Sequence, residues 1–289
     1  MRAFSNLLAL AAAVSGAQAY WKGFNIGANK ADGSCKSQQD WESDFRTQQG
    51  LTGHFSSARL YASSDCNTLA NAVPAAITTG TGLLVGVWTE DQAHYNAEKA
   101  ALLQAVQQHG HDWLIAVSVG SEDLYRGDTS ASTLAGQIND IRNSLKSAGV
   151  TGVEVGHVDT WTAWVDGANT DVIKACDFIG TDGYPYFQNA NINDGYNVFW
   201  ESVQNVRDTV NKVSPGKWVW ITESGWPVSG PNSGAAVPST ANAQKYWSTV
   251  ACAAFEQAHT FWYTLSDTNA SPSFGVVDTN NKPIYNLAC

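Results

Sequence analysis

The chain reads as a single α/β domain folded as a (β/α)8 barrel, and three observations carry that prediction. Eight short apolar segments recur at intervals of about 25 to 42 residues. Helix-like stretches lie between them, as successive βα units require. The roughly 270 residues that follow a leader-like N-terminus suit a closed barrel, for which about 250 is typical.

The strands are expected at 22–27, 56–61, 82–88, 114–120, 152–157, 177–182, 217–222 and 259–264. Most are β-branched or aromatic and almost continuously apolar, the pattern of parallel strands covered on both faces. The clearest helix is expected at 133–148, where Leu134, Ile138, Ile141 and Leu145 share one face. Ser130 or Ser132 is placed to cap it, and Gly149 to stop it. Further helices are expected at 93–108, 198–213 and 240–257. An open doubly wound sheet would carry a Gly-rich phosphate loop after its first strand. Asn25-Ile26-Gly27-Ala28-Asn29 lacks that spacing, which favours closure. No repeat or Ser/Thr-rich linker divides residues 20–289.

Residues 1–19 have the pattern of a secretory signal: Arg2, then the apolar 7–14, then Ala17-Gln18-Ala19. The apolar stretch is too short to span a bilayer, and the C-terminus has no lipid-anchor tail. A secreted protein without a membrane anchor, working as a monomer outside the cell or in the cell wall, is expected. Five cysteines in that oxidising context imply disulfides. Cys35 and Cys66 follow neighbouring strands on one face of the barrel and are expected to pair. The pairing of Cys176, Cys252 and Cys289 stays open, with Cys252 preferred for Cys289 and Cys176 left as a buried thiol. No Cys-x-x-Cys or His-Glu-x-x-His occurs, so neither metal nor cofactor is expected. The 26 acidic against 16 basic residues disfavour nucleic acid and anionic membranes as partners. A neutral polymer fits better, and twelve tryptophans offer faces on which sugar rings stack.

Two segments share one design. Trp218 to Thr222 is a strand that stops at Glu223, then breaks at Ser224-Gly225-Trp226-Pro227. Leu114 to Gly120 likewise runs through Ser121 into Glu122. Carboxylates at the C-terminal ends of strands four and seven face one another across a barrel mouth. A nucleophilic carboxylate and a carboxylic acid about 5 to 5.5 Å apart are what retaining glycoside hydrolysis needs.

Glu223-Ser224-Gly225-Trp226-Pro227, Arg59-Leu60-Tyr61 and Gly183-Tyr184-Pro185-Tyr186-Phe187 together resemble family 17 glycoside hydrolases, the β-1,3-glucan-active enzymes of fungi and plants. The tail, Phe274-Gly275-Val276-Val277-Asp278 through Tyr285, resembles the family's closing segment, so the likeness covers nearly the whole mature chain. Val119 to Arg126 resembles the fungal cell-wall branch. The resemblance implies a (β/α)8 barrel with Glu122 as acid/base and Glu223 as nucleophile. Two departures stand out. Ser121 replaces the asparagine that in many relatives bonds the sugar 2-hydroxyl. After strand eight, Asp267 stands alone where plant relatives carry an Asp-Glu pair.

Around the two acids, Arg59 is expected to bond the nucleophile or to form a structural ion pair. Tyr61, Ser121, Asp182, Tyr184 and Tyr186 are candidates for polar contact with the sugar or nucleophile. Trp226 and Trp262 are candidate stacking platforms, and Tyr125 a holder of an acceptor sugar. His157 and Asp159 are expected at the cleft rim. The activity expected is that of a secreted retaining β-1,3-glucan endoglucosidase or glucanosyltransferase of fungal wall remodelling. The rivals are a non-catalytic glucan-binding wall protein and a retaining enzyme for another β-glucan.

Overall fold

The computed structural model describes residues 20–267 and 269–289; the expected signal segment lies outside them. Eight parallel strands close into one barrel in sequence order. They are β1 Lys22–Asn25, β2 Ser57–Leu60, β3 Gly82–Val87, β4 Leu114–Ser121, β5 Glu154–Thr160, β6 Phe178–Asp182, β7 Trp218–Glu223 and β8 Thr260–Trp262. Helices α1 Gln38–Gly50, α2 Thr68–Thr79, α3 Gln92–His109, the single turn α4 Asp123–Arg126, and α5 Ala131–Ser147 occupy the first half. The second half carries α6 Trp161–Val165, α7 Thr170–Ala175, α8 Gly195–Val213, α9 Thr240–Tyr246 and α10 Cys252–Gln257. All eight expected strands form, with no end shifted by more than three residues.

Two layers of packing follow from strand alternation. Leu84, Ala116, Phe178, Trp220 and Phe261 fill the barrel interior. The alternate residues, among them Phe24, Leu83, Val117, Ile179 and Trp262, face outward into the larger core beneath the helices. α5 shows how sequence writes one helix of that layer. Leu134, Ile138, Ile141 and Leu145 are its buried residues, and the Ser130 hydroxyl accepts the Thr133 N–H at 3.2 Å as N-cap. Such a cap is worth about 1 kcal/mol. The helix expected over 240–257 is continuous but contains a π-helical turn at Trp247–Ala251, which separates α9 from α10.

Cys35 is bonded to Cys66, joining the loops after β1 and β2, and Cys252 is bonded to Cys289, fastening the chain end to α10. Cys176 is a buried free thiol whose pKa burial pushes up to about 12. No helix among the described residues is long and apolar enough to cross a membrane.

Candidate active site

Glu223 reaches the barrel mouth through an irregularity in β7. Thr181 pairs with Ile221, but the next residue of β6, Asp182, pairs with Glu223, so Thr222 is an extra residue. Such a bulge re-aims the side chain that follows it. Thr222 already faces inward, donating its hydroxyl to Asp182 Oδ1 at 2.8 Å. Regular alternation would turn Glu223 outward beneath the helices; the bulge keeps it inside. There it is ion-paired with Arg59 Nη1 and accepts the Tyr184 hydroxyl at 2.7 Å. Arg59 is itself clamped, donating to Asn25 Oδ1 at 2.8 Å and to Ser121 Oγ at 2.9 Å. Asn25 completes the brace by donating to the Thr222 and Phe261 carbonyls, both at 2.9 Å.

Glu122 sits at the other side of the mouth in an unusual conformation. Its φ is +59°, in the left-handed region that non-glycine residues seldom adopt. Gly120, at φ +74°, precedes it, and a Cβ there would meet Asp123 Oδ2 at 2.2 Å. The Glu122 N–H donates to the Val158 carbonyl at 2.8 Å, so β5 takes part in holding this turn. Burial, and then the Glu223 carboxylate facing it, push the Glu122 pKa up to about 7; Asp159 adds to this, while Arg126 and Arg59 oppose it. Asp182 is driven well above the usual carboxyl range by burial and by Glu223. Two carboxyls with opposed surroundings, one desolvated and one gripped by a guanidinium and a phenol, are how a site separates an acid from a nucleophile.

These groups open onto a cleft of about 530 Å³ lined by Glu122, Tyr125, Asp182, Tyr184 and Glu223. Tyr125 is 62% exposed at its edge. Ser121 and Tyr61 lie behind the first layer: the Ser121 hydroxyl accepts from Arg59, and the Tyr61 ring lies under the Arg59 guanidinium at 4.9 Å. Tyr186 is buried, donating its hydroxyl to the Pro231 carbonyl at 2.6 Å.

The expectation of stacking platforms at Trp226 and Trp262 is corrected by their burial, at 2% and 1% exposed. Trp226 donates its indole N–H to the Val237 carbonyl and packs on Tyr186 and Tyr246. Trp262 points outward from β8 among Tyr246, Trp247 and Phe255. His157 and Asp159 also leave the rim: both are 0% exposed and lie on the outer face of β5. The cleft's aromatic walls are instead Trp161, Phe187, Tyr263 and Phe274. Trp161 directly follows β5 and Tyr263 directly follows β8, so the rule that placed Glu122 and Glu223 could have found them. Asp267 is not a cleft acid: its carboxylate accepts the Ser273 hydroxyl at 2.7 Å and the Phe274 and Gly275 N–H groups, pinning the wall segment.

A second cavity of about 550 Å³ lies at the other pole, beside Arg142, Lys174 and Lys217. The Lys217 ammonium there is bonded to three backbone carbonyls and Arg142 to Asp177, so its polar groups serve the fold.

The profile of the BtgE/BtgC glycoside hydrolase domain matches residues 23–278. The "probable glucan endo-1,3-beta-glucosidase eglC" of Aspergillus fumigatus is 42% identical over 313 residues, covering 99% of this chain and 69% of that protein. The "glucan 1,3-beta-glucosidase" of Saccharomyces cerevisiae is 33% identical over 285 residues, covering 92% and 90%. Among solved structures, the family 17 β-1,3-glucanosyltransferase of Rhizomucor miehei superposes with a TM-score of 0.81 at 24% identity, covering 95% of this chain and 99% of that one. An active-site mutant of that enzyme in complex with laminaritriose gives 0.78. At that identity the likeness to the solved structures speaks to the fold.

Proposed function

The chain belongs to the BtgE/BtgC glycoside hydrolase domain family, and from that premise we propose that it is a secreted, monomeric, retaining β-1,3-glucan glycosidase that also transfers glucan. The observation that carries the assignment of roles is the contrast between the two glutamates. Glu122 is held near pKa 7 by burial and by Glu223, whereas Glu223 is bound by Arg59 and Tyr184. A carboxyl that keeps its proton near neutrality is suited to general acid work, and a braced carboxylate to nucleophilic attack.

In the first half-reaction a Glu223 carboxylate oxygen forms a bond to the anomeric carbon. The bond from that carbon to the leaving oxygen breaks, and Glu122 gives that oxygen its proton. In the second half Glu122, now a carboxylate, takes a proton from water or from a sugar hydroxyl. That oxygen then displaces Glu223 from the anomeric carbon, and the configuration is retained. Both protons and both electron pairs come from these two side chains and the substrates. Arg59, Asn25 and Tyr184 act on the aim of Glu223. Asp182, buried at the cleft floor with one oxygen unpartnered among the described residues, is placed to bond a sugar hydroxyl.

Transfer competes with hydrolysis where a second sugar is held against the glycosyl-enzyme, because a bound hydroxyl has a high effective concentration. Tyr125 and Trp161 at the cleft edge offer that hold. The test is product analysis after incubation with laminari-oligosaccharides from micromolar to millimolar concentration. Longer products at the high end and shorter ones on dilution are expected. Purely hydrolytic products throughout would remove the transferase half, and no change in wild type would leave only a glucan-binding protein.

A further inference from the structure

Behind the turn that carries Glu122 lies a buried pair that the scheme above does not use. His157 and Asp159 are both fully buried on the outer face of β5. His157 Nδ1 is 2.7 Å from the Val119 carbonyl oxygen, and Nε2 is 2.9 Å from Asp159 Oδ2. A carbonyl oxygen has no hydrogen to give, so Nδ1 must carry one. A neutral imidazole has a single N–H, which would leave a bare Nε2 facing Asp159. Asp159, however, is surrounded by donors: Oδ2 accepts the Leu124 N–H at 2.9 Å and Oδ1 the Thr160 N–H at 2.7 Å. Bonds of that kind favour a carboxylate. The second proton therefore belongs on Nε2.

We propose that His157 is a buried imidazolium that, with Asp159, positions the acid-bearing turn and sets the proton affinity of Glu122. The pair grips the chain on both sides of that residue, through the Val119 carbonyl before it and the Leu124 N–H after it. A left-handed glutamate persists only where its surroundings over-determine it, and these two bonds, with the Glu122 N–H to Val158, are that constraint.

Its electrostatics follow from what packs around it. Facing the His157 ring are Asp159 on β5, Asp123 on α4 and the Trp164 ring of α6 at 5.5 Å, while the Cys176 thiol ahead of β6 lies at the His157 backbone. Asp123 has one buried oxygen without a partner among the described residues. One cation thus offsets two buried carboxylates. Burial alone would disfavour the imidazolium, but the Asp159 bond and the two acidic charges outweigh it, so the His157 pKa is raised. Facing Glu122 are Glu223, Asp159, Arg126 and Arg59, with Asp182 and Tyr263 across the cleft. Removing the His157 charge should make Glu122 hold its proton to higher pH. Removing the Asp159 carboxylate takes away the partner that keeps His157 protonated, so both charges go together and Glu122 should shift much less.

This inference rests on Glu122 being the acid, so its test has one arm that does not depend on turnover. The ring nitrogens of wild-type His157, read by ¹⁵N NMR, should both be protonated through neutral pH. A single-proton tautomer at pH 7 overturns the proposal. In the second arm, His157→Gln and Asp159→Asn should each lower kcat by about 100-fold with little change in KM, as small misplacements of a reacting group do. The alkaline limb of kcat/KM should move up in His157→Gln by roughly one unit, and by much less in Asp159→Asn, where the imidazolium is lost with its partner. A His157→Gln limb that stays fixed or moves down, with only thermal stability lost, would reduce the pair to a structural role. Azide rescue of Glu122→Ala, run alongside, shows separately whether Glu122 is the acid/base at all.

Discussion

Substituting Arg126 by glutamine isolates one charge next to the acid. Arg126 Nη1 lies 3.4 Å from Glu122 Oε2, and the two side chains are 34% and 29% exposed. At that separation unit charges attract by about 1 kcal/mol in a bulk-water dielectric. For a pair this accessible, screening makes that value the appropriate one. It corresponds to about 0.8 of a pKa unit. The cation favours the charged form of Glu122, so its removal raises a pKa that already stands at about 7. The protonated acid is the form kcat/KM requires in the free enzyme. The wild-type rate should therefore decline above about pH 7, and that of Arg126→Gln above roughly 7.8. At pH 8 about 9% of wild-type Glu122 and about 39% of the variant's would be protonated, a fourfold difference relative to each plateau. The assay is kcat/KM against pH from 5 to 9 on a laminari-oligosaccharide, at low and high salt. Salt should move the wild-type limb upward and leave the variant's almost still. The plateau itself can fall, since Arg126 also bonds the Ser121 carbonyl and Asp128. A limb that does not move, or moves down, would refute the ion-pair reasoning.

Glu223→Gln keeps the shape of the nucleophile and should lower kcat by at least about 1000-fold while glucan binding survives; comparable turnover to wild type would sink the role. Glu122→Ala should be rescued by azide with formation of a β-configured glycosyl azide, detected by mass spectrometry and NMR, and a lack of adduct speaks against it. Replacing Cys35 and Cys66 by serine opens a link across 31 residues. It should cost about 3 to 4 kcal/mol in the chain-entropy view, or about 10 °C in Tm, and a loss below 1 kcal/mol by denaturant titration contradicts it. Cys176, buried with its thiol pKa near 12, should resist iodoacetamide at pH 8 until the protein is unfolded; rapid labelling of the native protein would say the site opens.

The strands and the two glutamates were legible because they rest on strong local signals: apolar continuity, then an acid at the point where a strand stops. Which way a side chain faces was much less so. In β8 the sequence suggests Trp262 for the cleft, but alternation sends Phe261 inward and Trp262 outward, and the cleft receives Tyr263. His157 faces away from the cleft for the same reason, and because β5 runs on to Thr160, three residues past its expected end. Trp226 is near Glu223 in sequence, yet the loop turns its indole N–H to the Val237 carbonyl. Asn25 carried no signal, because its role exists only once β1, β2, β7 and β8 meet.

The extra residue in β7 lets two successive side chains, Thr222 and Glu223, look into the same barrel mouth. Deleting Thr222 would seat the glutamate directly after outward-facing Ile221, so regular alternation would still send it inward, opposite Asp182. What the deletion removes is the hydroxyl that Asp182 accepts. A strand one residue shorter would keep its nucleophile while the neighbouring acid lost its partner, so length here acts on Asp182 before it disarms Glu223.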